Sequence, residues 1–157
     1  MLWRMKRSEF EKQKGETNRE AMKNLVHTGQ IPGILAYVGK VPAGWCAVQP
    51  RENFTALARS RILKPVDDRP VWSITCFFID KNYRNAGLSV FLIQAAVQHV
   101  KKQGGHIVEG YPVEPKKEKM PAVFAWTGFS SAFIRAGFKE VARRSDTRPI
   151  MRFFIEK

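Results

Sequence analysis

Apolar positions along the chain change their spacing several times, and each spacing predicts a different element. Residues 71–79, VWSITCFFI, are apolar at both odd and even positions, which is typical of a strand covered on both faces of a sheet. Residues 88–103 then repeat apolar side chains at helical spacing, and Gly104 with Gly105 ends the pattern. The sequence therefore predicts a central strand that leads into a long helix.

Weaker patterns on both sides of this pair predict the other elements. A short edge strand is expected over residues 1–5, and the capping-box spacing of Thr17 and Glu20 marks the start of the second helix. The remaining expectations are helices over 8–15, 17–29 and 128–136, a strand over 107–111, and hairpins over 34–48 and 138–155. This order predicts one α/β (α+β) domain over residues 1–157, with helices on both faces of a central, partly antiparallel twisted sheet.

The composition fits that expectation. A chain of 157 residues with 44% hydrophobic and 26% charged residues is typical of a globular domain. The longest apolar runs fall short of the roughly 20 residues that span a bilayer, so no membrane segment is expected. Two cysteines and three scattered histidines lack the spacing of a zinc site. We expect a cytoplasmic protein without a metal, either a monomer or a homodimer.

The net charge of +13 favours anionic partners, because a positive surface concentrates anions around it. The basic residues are spread along the chain and interleaved with acidic ones, and neither a recognition helix nor an aromatic-basic platform stands out. Nucleic acid is therefore a disfavoured partner. A soluble basic surface is the preferred explanation of the charge.

The segment between the central strand and the long helix, YRNAGLS, combines a cation with small residues at a helix start. Unpaired N–H groups at a helix N-terminus bind anions, and small residues allow a phosphate to approach them. Ser89 could add a hydroxyl donor. Gly87 could also simply turn the chain from strand to helix, and a short glycine motif does not separate these alternatives.

A longer stretch, FFIDKNYRNAGLSVFLIQAAV, resembles the GNAT family of N-acetyltransferases. The family signature Gln/Arg-x-x-Gly-x-Gly/Ala is matched at Arg84 and Gly87, while Ser89 departs from it. Downstream, SSAFIRAGFKEV is similar to the family's second landmark, a short helix that ends in Gly-Phe before a strand. The order of elements also agrees over nearly the whole chain.

The resemblance implies transfer of an acetyl group from acetyl-coenzyme A (acetyl-CoA) to a primary amine. In this family the loop wraps the pyrophosphate of the cofactor, and the preceding strand pairs with its pantetheine arm. The implied cofactor-binding residues are Phe77, Phe78, Ile79, Arg84, Asn85, Ala86, Gly87, Leu88, Ser89 and Phe133.

Phe133 stands where the family often has a tyrosine that protonates the leaving thiolate, and a phenyl ring cannot donate a proton. Glu109 is the candidate base, because a carboxylate is uncommon within an apolar strand and its presence there indicates a specific role. It could instead be a surface carboxylate paired with a lysine. Tyr111 shares its face by strand alternation and could donate the missing proton, or it could only pack at the strand end.

The acceptor is less well defined. Residues 51–69 and 112–121 form two long excursions that flank the acceptor site in this fold, and their basic residues, including Lys116, Lys117 and Lys119, favour an acidic acceptor. Two functions from different classes remain: an N-acetyltransferase of a small molecule or protein, and a non-catalytic sensor that binds acetyl-CoA or another acyl-CoA.

Overall fold

Six strands form one mixed sheet. The computed structural model describes residues 1–115 and 125–156. The strands are β1 (Gly33–Val38), β2 (Val41–Pro50), β3 (Trp72–Ile79), β4 (Ile107–Gly110), β5 (Lys139–Arg143) and β6 (Pro149–Phe154). They lie in the order β1-β2-β3-β4-β6-β5, with β3 and β4 parallel and the other neighbours antiparallel. The predicted mixed α/β fold with a partly antiparallel sheet is confirmed.

Helices cover both faces of this sheet. They are α1 (Arg7–Lys12), α2 (Glu16–His27), α3 (Thr55–Ala58), α4 (Leu88–Lys102) and α5 (Ser130–Arg135). Helix α4 packs across β1, β2 and β3 and also contacts α5. On the other face a 3₁₀ helix, Leu2–Arg4, packs against α3.

Two apolar clusters lie in these layers. The larger one joins β3 and β4 to α4 and α5 through residues such as Ile74, Leu92, Val108 and Phe133. The smaller one, which includes Leu57 and Tyr111, lies under α3 and the segment that follows it. Ser73, Ile74 and Thr75 are all buried, so this part of β3 is covered on both faces and shows no alternation of buried and exposed positions.

The first residues do not form the expected edge strand. Leu2–Arg4 is a single 3₁₀ turn, closed by the bond from the Arg4 N–H to the Met1 carbonyl at 2.8 Å. The Arg4 side chain donates to Gln49 and to the Pro32 carbonyl, while Trp3 packs against the smaller cluster. These side-chain contacts favour a compact turn over an extended segment.

The start of the second helix was also predicted wrongly. Helix α2 begins at Glu16, and its N-cap is Gly15, with φ of 94°. Thr17 therefore lies inside the helix and not at its cap. Glycine adopts this backbone conformation without the clash that a Cβ would cause, and this allows the helix to begin earlier than the capping-box pattern indicates.

The two edges of the sheet differ in character. Strand β1 exposes the apolar side chains of Leu35, Tyr37 and Val38. Strand β5, at the opposite edge, carries Lys139 and Arg143 together with a glutamate. Charged side chains hinder the addition of another strand, so within the described residues the β5 edge has this protection and β1 carries no charged side chain.

Candidate active site

The connection between β3 and α4 turns sharply. Asn85 and Gly87 adopt positive φ angles of 61° and 78°. Helix α4 begins at Leu88, and no side chain caps its N-terminus. Apart from the backbone next to it in the chain, no heavy atom of the described residues lies within 4 Å of the position that a Gly87 Cβ would take. The space beside Gly87 is therefore open, and the N–H groups at the start of α4 can donate to an anion from outside the chain, except that of Val90, which donates to the Gly87 carbonyl at 3.0 Å.

Arg84 is held at the entrance to this turn. Its Nε donates to the Ile79 carbonyl at 3.1 Å, so the guanidinium lies beside the end of β3. The side chain is exposed, as is Ala86, whereas Ser89 is half-buried in the first turn of α4. The six predicted loop residues thus form one surface at the carboxyl end of β3.

Strands β3 and β4 pair along only part of their length. Their register joins Trp72 to Val108 and Ile74 to Gly110, after which β4 ends while β3 continues to Ile79. An irregularity in the pairing with β2 lies at this point, where Thr75 is the extra residue on β3. The second half of β3 therefore borders a gap in the sheet.

A later segment of the same chain partly fills this gap. The Phe77 N–H donates to the Trp126 carbonyl at 2.7 Å, and the Trp126 indole packs on Trp3 with 5.6 Å between ring centroids. Thr127 accepts a bond of 2.8 Å from Arg148. Of the three predicted pantetheine-binding residues, Phe77 thus already has a backbone partner on the side of the gap.

The other two residues of that group differ in environment. Phe78 pairs with Trp45 of β2, and its side chain is 62% exposed. Ile79 packs against the larger apolar cluster, and its carbonyl accepts the bond from Arg84. Cofactor pairing at Phe77 would therefore have to replace the bond to Trp126, whereas the Ile79 carbonyl can accept a second hydrogen bond beside that from Arg84.

Glu109 and Tyr111 lie together, as strand alternation predicts. The Tyr111 hydroxyl donates to Glu109 Oε1 at 2.7 Å and lies 2.8 Å from the Ser73 hydroxyl. Both side chains are fully buried, so Glu109 is not a surface carboxylate. Burial raises the pKa of Tyr111, and the neighbouring Glu109 charge raises it further. The phenol therefore stays protonated at neutral pH and acts as a donor.

Two arginines hold the Glu109 carboxylate. Arg51 Nη1 donates to Oε1 at 3.1 Å, and Arg152 Nε donates to Oε2 at 2.7 Å. Arg152 also donates to Asp67 Oδ2 at 2.7 Å, and Arg69 binds the same carboxylate. The result is a chain of alternating charges that runs from Arg51, directly after β2, through Glu109 of β4 and Arg152 of β6 to the segment before β3.

This network borders a cavity of about 240 Å³. Arginines and carboxylates both line it, namely Arg51, Arg69, Arg152, Asp67, Asp68 and Glu109. The segment over the cavity is tied down further, since Arg144 donates to the carbonyls of Lys64 and Pro65 at 2.6 and 3.0 Å. The wall is therefore anchored by Arg152 of β6 and by Arg144, which directly follows β5.

Phe133 lies in the core. It is fully buried and packs edge-on against Phe77 and Phe138, with ring centroids 6.0 and 5.1 Å away. A Cβ added at Gly110 would lie 2.1 Å from the Phe133 ring. The Phe133 ring fills the space between β4 and α5, so a residue larger than glycine at position 110 would clash with it.

Sequence reasoning missed several of these residues. Arg152 sits in the apolar strand PIMRFF and is 2% exposed, the same signal that drew attention to Glu109. Arg51 and Asp67 lie in a segment without periodicity and gave no signal. The lysine-rich residues 116–119, predicted to favour an acidic acceptor, lie outside the described residues.

Two further observations concern the described part of the chain. Within residues 1–115 and 125–156, no group of three or more histidine, cysteine, aspartate or glutamate side chains is placed to hold a metal ion. None of the helices in those residues combines the length and apolar character needed to cross a bilayer.

A mixed sheet whose parallel strands diverge beside an uncapped helix start has the architecture of the acyl-CoA N-acyltransferases. The model of the acetyltransferase (GNAT) family matches residues 1–129, and the chain belongs to this family. The predicted family is thereby confirmed. Among curated protein sequences, none matches the chain.

Solved structures share the fold at low sequence identity. A GNAT-family acetyltransferase from Streptococcus agalactiae has a TM-score of 0.58 at 15% identity, over 95% of this chain and 79% of that one. The ribosomal-protein-alanine N-acetyltransferase of Brucella melitensis gives 0.55 at 13%, over 89% and 78%. YncA from Salmonella typhimurium, solved with its cofactor acetyl-CoA, gives 0.55 at 13%, over 89% and 73%.

Proposed function

We propose that this protein is an N-acetyltransferase that moves the acetyl group of acetyl-CoA to a primary amine. The observation that carries the proposal is the open, uncapped start of α4 after Gly87, beside a half of β3 that β4 leaves unpaired. Together they offer donors for a pyrophosphate and a strand edge for an extended amide-bearing arm. Membership of the acetyltransferase family supports the same donor.

The chemistry requires little more than alignment of the two substrates. The amine nitrogen attacks the thioester carbonyl, the carbon–sulfur bond breaks, and coenzyme A leaves as a thiolate that takes up a proton. Holding the reactants in this geometry is itself a large part of the acceleration. We assign the amine proton to Glu109, the buried carboxylate nearest the point where β3 leaves β4.

Tyr111 is the proposed proton donor. Its hydroxyl is protonated, lies next to Glu109 and Ser73, and receives a hydrogen bond from Arg51. Arg51 opposes the rise in the pKa of this phenol that burial and the Glu109 charge cause, and a proton taken up by Glu109 would remove the carboxylate's share of that rise. Phe133 cannot protonate the thiolate, because its ring has no acidic proton and lies in the core.

Calorimetric titration with acetyl-CoA tests the cofactor site. Gly87→Asp should abolish saturable binding, because it places a carboxylate where the pyrophosphate is expected and strains the backbone. Gly39→Asp is the matched control: Gly39 also has a positive φ, of 60°, and open space around it, but lies in the β1–β2 turn. It should bind as wild type does. No binding by wild type would remove the proposal.

A non-catalytic sensor of acyl-CoA is the second candidate. It is favoured by Phe133 at the usual tyrosine position and by the hydrogen bonds that already occupy Glu109. Release of free thiol in the presence of amines separates the two functions. Saturable binding of acetyl-CoA, with no thiol release above the amine-free background, would favour the sensor.

A further inference from the structure

Three buried side-chain polar atoms of the described residues have no hydrogen-bond partner, namely Trp3 Nε1, Asn18 Oδ1 and Thr75 Oγ1. Asn18 lies on α2, and its amide nitrogen donates to the Phe10 carbonyl at 3.0 Å. Thr75 lies on the central strand, is 1% exposed, and has no other polar group in its side chain. Burying a hydroxyl without a partner costs stability, which makes Thr75 a candidate for contact with a ligand.

Thr75 occupies the point where the pairing of β3 changes on both sides. The register with β2 joins Ile74 to Val48 and Cys76 to Ala47, so it passes over Thr75. The pairing with β4 ends at Ile74. Such bulges are frequent next to active sites, where they redirect a side chain or end the pairing of a strand. Thr75 is therefore the first residue of β3 at the gap in the sheet.

The expected course of the cofactor brings its thioester close to Thr75. Pantetheine pairing at Phe77 takes the place of the Trp126 carbonyl, which accepts from the Phe77 N–H at 2.7 Å. Phe77 lies two residues beyond Thr75, roughly 7 Å along the strand at about 3.3 Å per residue. Displacement of Trp126 would therefore open the gap next to Thr75 to the ligand.

The proposed proton donor lies on the other side of Thr75. Ser73, two residues earlier on β3, has its hydroxyl 2.8 Å from the Tyr111 hydroxyl, which also donates to Glu109. A thioester at Thr75 would thus lie between the pantetheine-binding part of β3 and the two groups proposed to move protons.

We propose that the Thr75 hydroxyl donates a hydrogen bond to the thioester carbonyl oxygen of acetyl-CoA. A hydroxyl carries one O–H donor, and a carbonyl oxygen accepts. When the amine attacks, negative charge develops on that oxygen, and the same hydrogen bond becomes stronger. The proposal rests on the proposed acetyltransferase function and adds to it a side chain that contacts the reacting group.

The first test compares two ligands that differ only at the carbonyl. S-Ethyl-CoA has the chain length of acetyl-CoA but a methylene group in place of the carbonyl. In calorimetric titrations, the ratio of the Kd for S-ethyl-CoA to the Kd for acetyl-CoA should be about five-fold lower in Thr75→Val than in wild type, as the loss of one neutral hydrogen bond predicts. The affinity for S-ethyl-CoA should change less than two-fold. An unchanged ratio, or equal weakening of both ligands, would overturn the proposal.

Two further variants are the controls for this ratio. Thr75→Ser keeps the hydroxyl and removes only a methyl group, so its ratio should stay within two-fold of the wild-type value. Thr28→Val makes the same change as Thr75→Val at an exposed threonine, whose hydroxyl donates to the Asn24 and Leu25 carbonyls of α2, and it should also keep the ratio. An equally lowered ratio in Thr75→Ser and Thr75→Val would assign the effect to packing and overturn the proposal.

The second test needs no ligand. Thr75→Val should leave the urea midpoint of unfolding unchanged or raise it, because valine buries no unpaired hydroxyl. Thr127→Val should lower the midpoint, because Thr127 is also 1% exposed but accepts a hydrogen bond from Arg148 at 2.8 Å. A comparable fall in both variants would show that the Thr75 hydroxyl is bonded within the fold, which contradicts the proposal.

The titrations also separate the two levels of inference. Wild-type protein that binds neither acetyl-CoA nor S-ethyl-CoA defeats the proposed function itself. Wild-type protein that binds both, with a ratio that Thr75→Val does not change, defeats only the role of Thr75.

Discussion

The backbone N–H of Phe77 donates to the carbonyl oxygen of Trp126 across the gap between β3 and the end of β4, at 2.7 Å. The bond joins residues far apart in the chain. It uses a strand N–H that faces the place where β4 has stopped pairing. An extended ligand that pairs with β3 at this point must take the place of the Trp126 carbonyl.

Acetyl-CoA binding should therefore change the fluorescence of Trp126. Displacement from Phe77 would also disturb the packing of its indole on Trp3. Titration of wild type should change the tryptophan emission, and Trp126→Phe should lose most of the change. Trp72→Phe should retain it, because Trp72 packs against His99 on α4. Calorimetric binding without any emission change would contradict the displacement.

Restoring the family's usual tyrosine should not restore a proton donor. Phe133→Tyr adds a hydroxyl to a fully buried ring between Phe77 and Phe138. Burying a hydroxyl without a partner should lower the free energy of unfolding by about 1–3 kcal/mol. Urea denaturation measures this loss, and thiol-release assays should show no rise in kcat. Phe154→Tyr, at a 44% exposed ring, should be close to neutral. A higher kcat with unchanged stability would instead place the hydroxyl at the thiolate.

Gly110→Ala should destabilise the fold through direct contact with Phe133. The new Cβ would lie 2.1 Å from the ring, well inside van der Waals contact. Overpacking of this kind costs about 1–3 kcal/mol. Shortening the neighbour relieves it, so Gly110→Ala combined with Phe133→Leu should lose less than the sum of the two single changes in urea denaturation. Strict additivity would show that the two residues do not compete for space.

Stability should fall in acid through Asp67. Hydrogen bonds from Arg152, and then from Arg69, hold the pKa of its carboxyl well below its usual range. A carboxyl whose pKa is lowered by folding contributes stability above its unfolded pKa, near 4, and loses it as the pH falls toward the folded value. Urea denaturation between pH 5 and 3 should show a smaller loss for Asp67→Asn than for wild type. Asp68→Asn matches the change in charge and should not mimic that effect.

Local patterns were enough to predict much of the fold and the loop before α4. The strand over 71–79, the helix that follows and the glycine turn between them all depend on residues close in sequence. The shared face of Glu109 and Tyr111 followed from strand alternation and is confirmed by their hydrogen bond.

Long-range partners could not be predicted in this way. Arg51 and Glu109 are 58 residues apart, and Arg152 and Asp67 are 85 apart. Whether a strand carboxylate meets two guanidinium groups depends on which strands become neighbours and in what register. The Trp126 carbonyl gave no sequence signal at all, because any residue type can offer one.

Strand β1 forms a sheet edge without charged side chains, and this makes the net charge of the protein important for association between copies of the chain. Leu35, Tyr37 and Val38 leave this edge without the charged side chains that hinder strand addition at β5. With a charge of +13, copies of the chain repel one another at low ionic strength before their edges can meet. Salt screens that repulsion: at an ionic strength of 0.15 M, charges more than about 8 Å apart interact only weakly. We therefore expect long-range charge repulsion to limit association at low salt and the uncharged β1 edge to favour it at high salt.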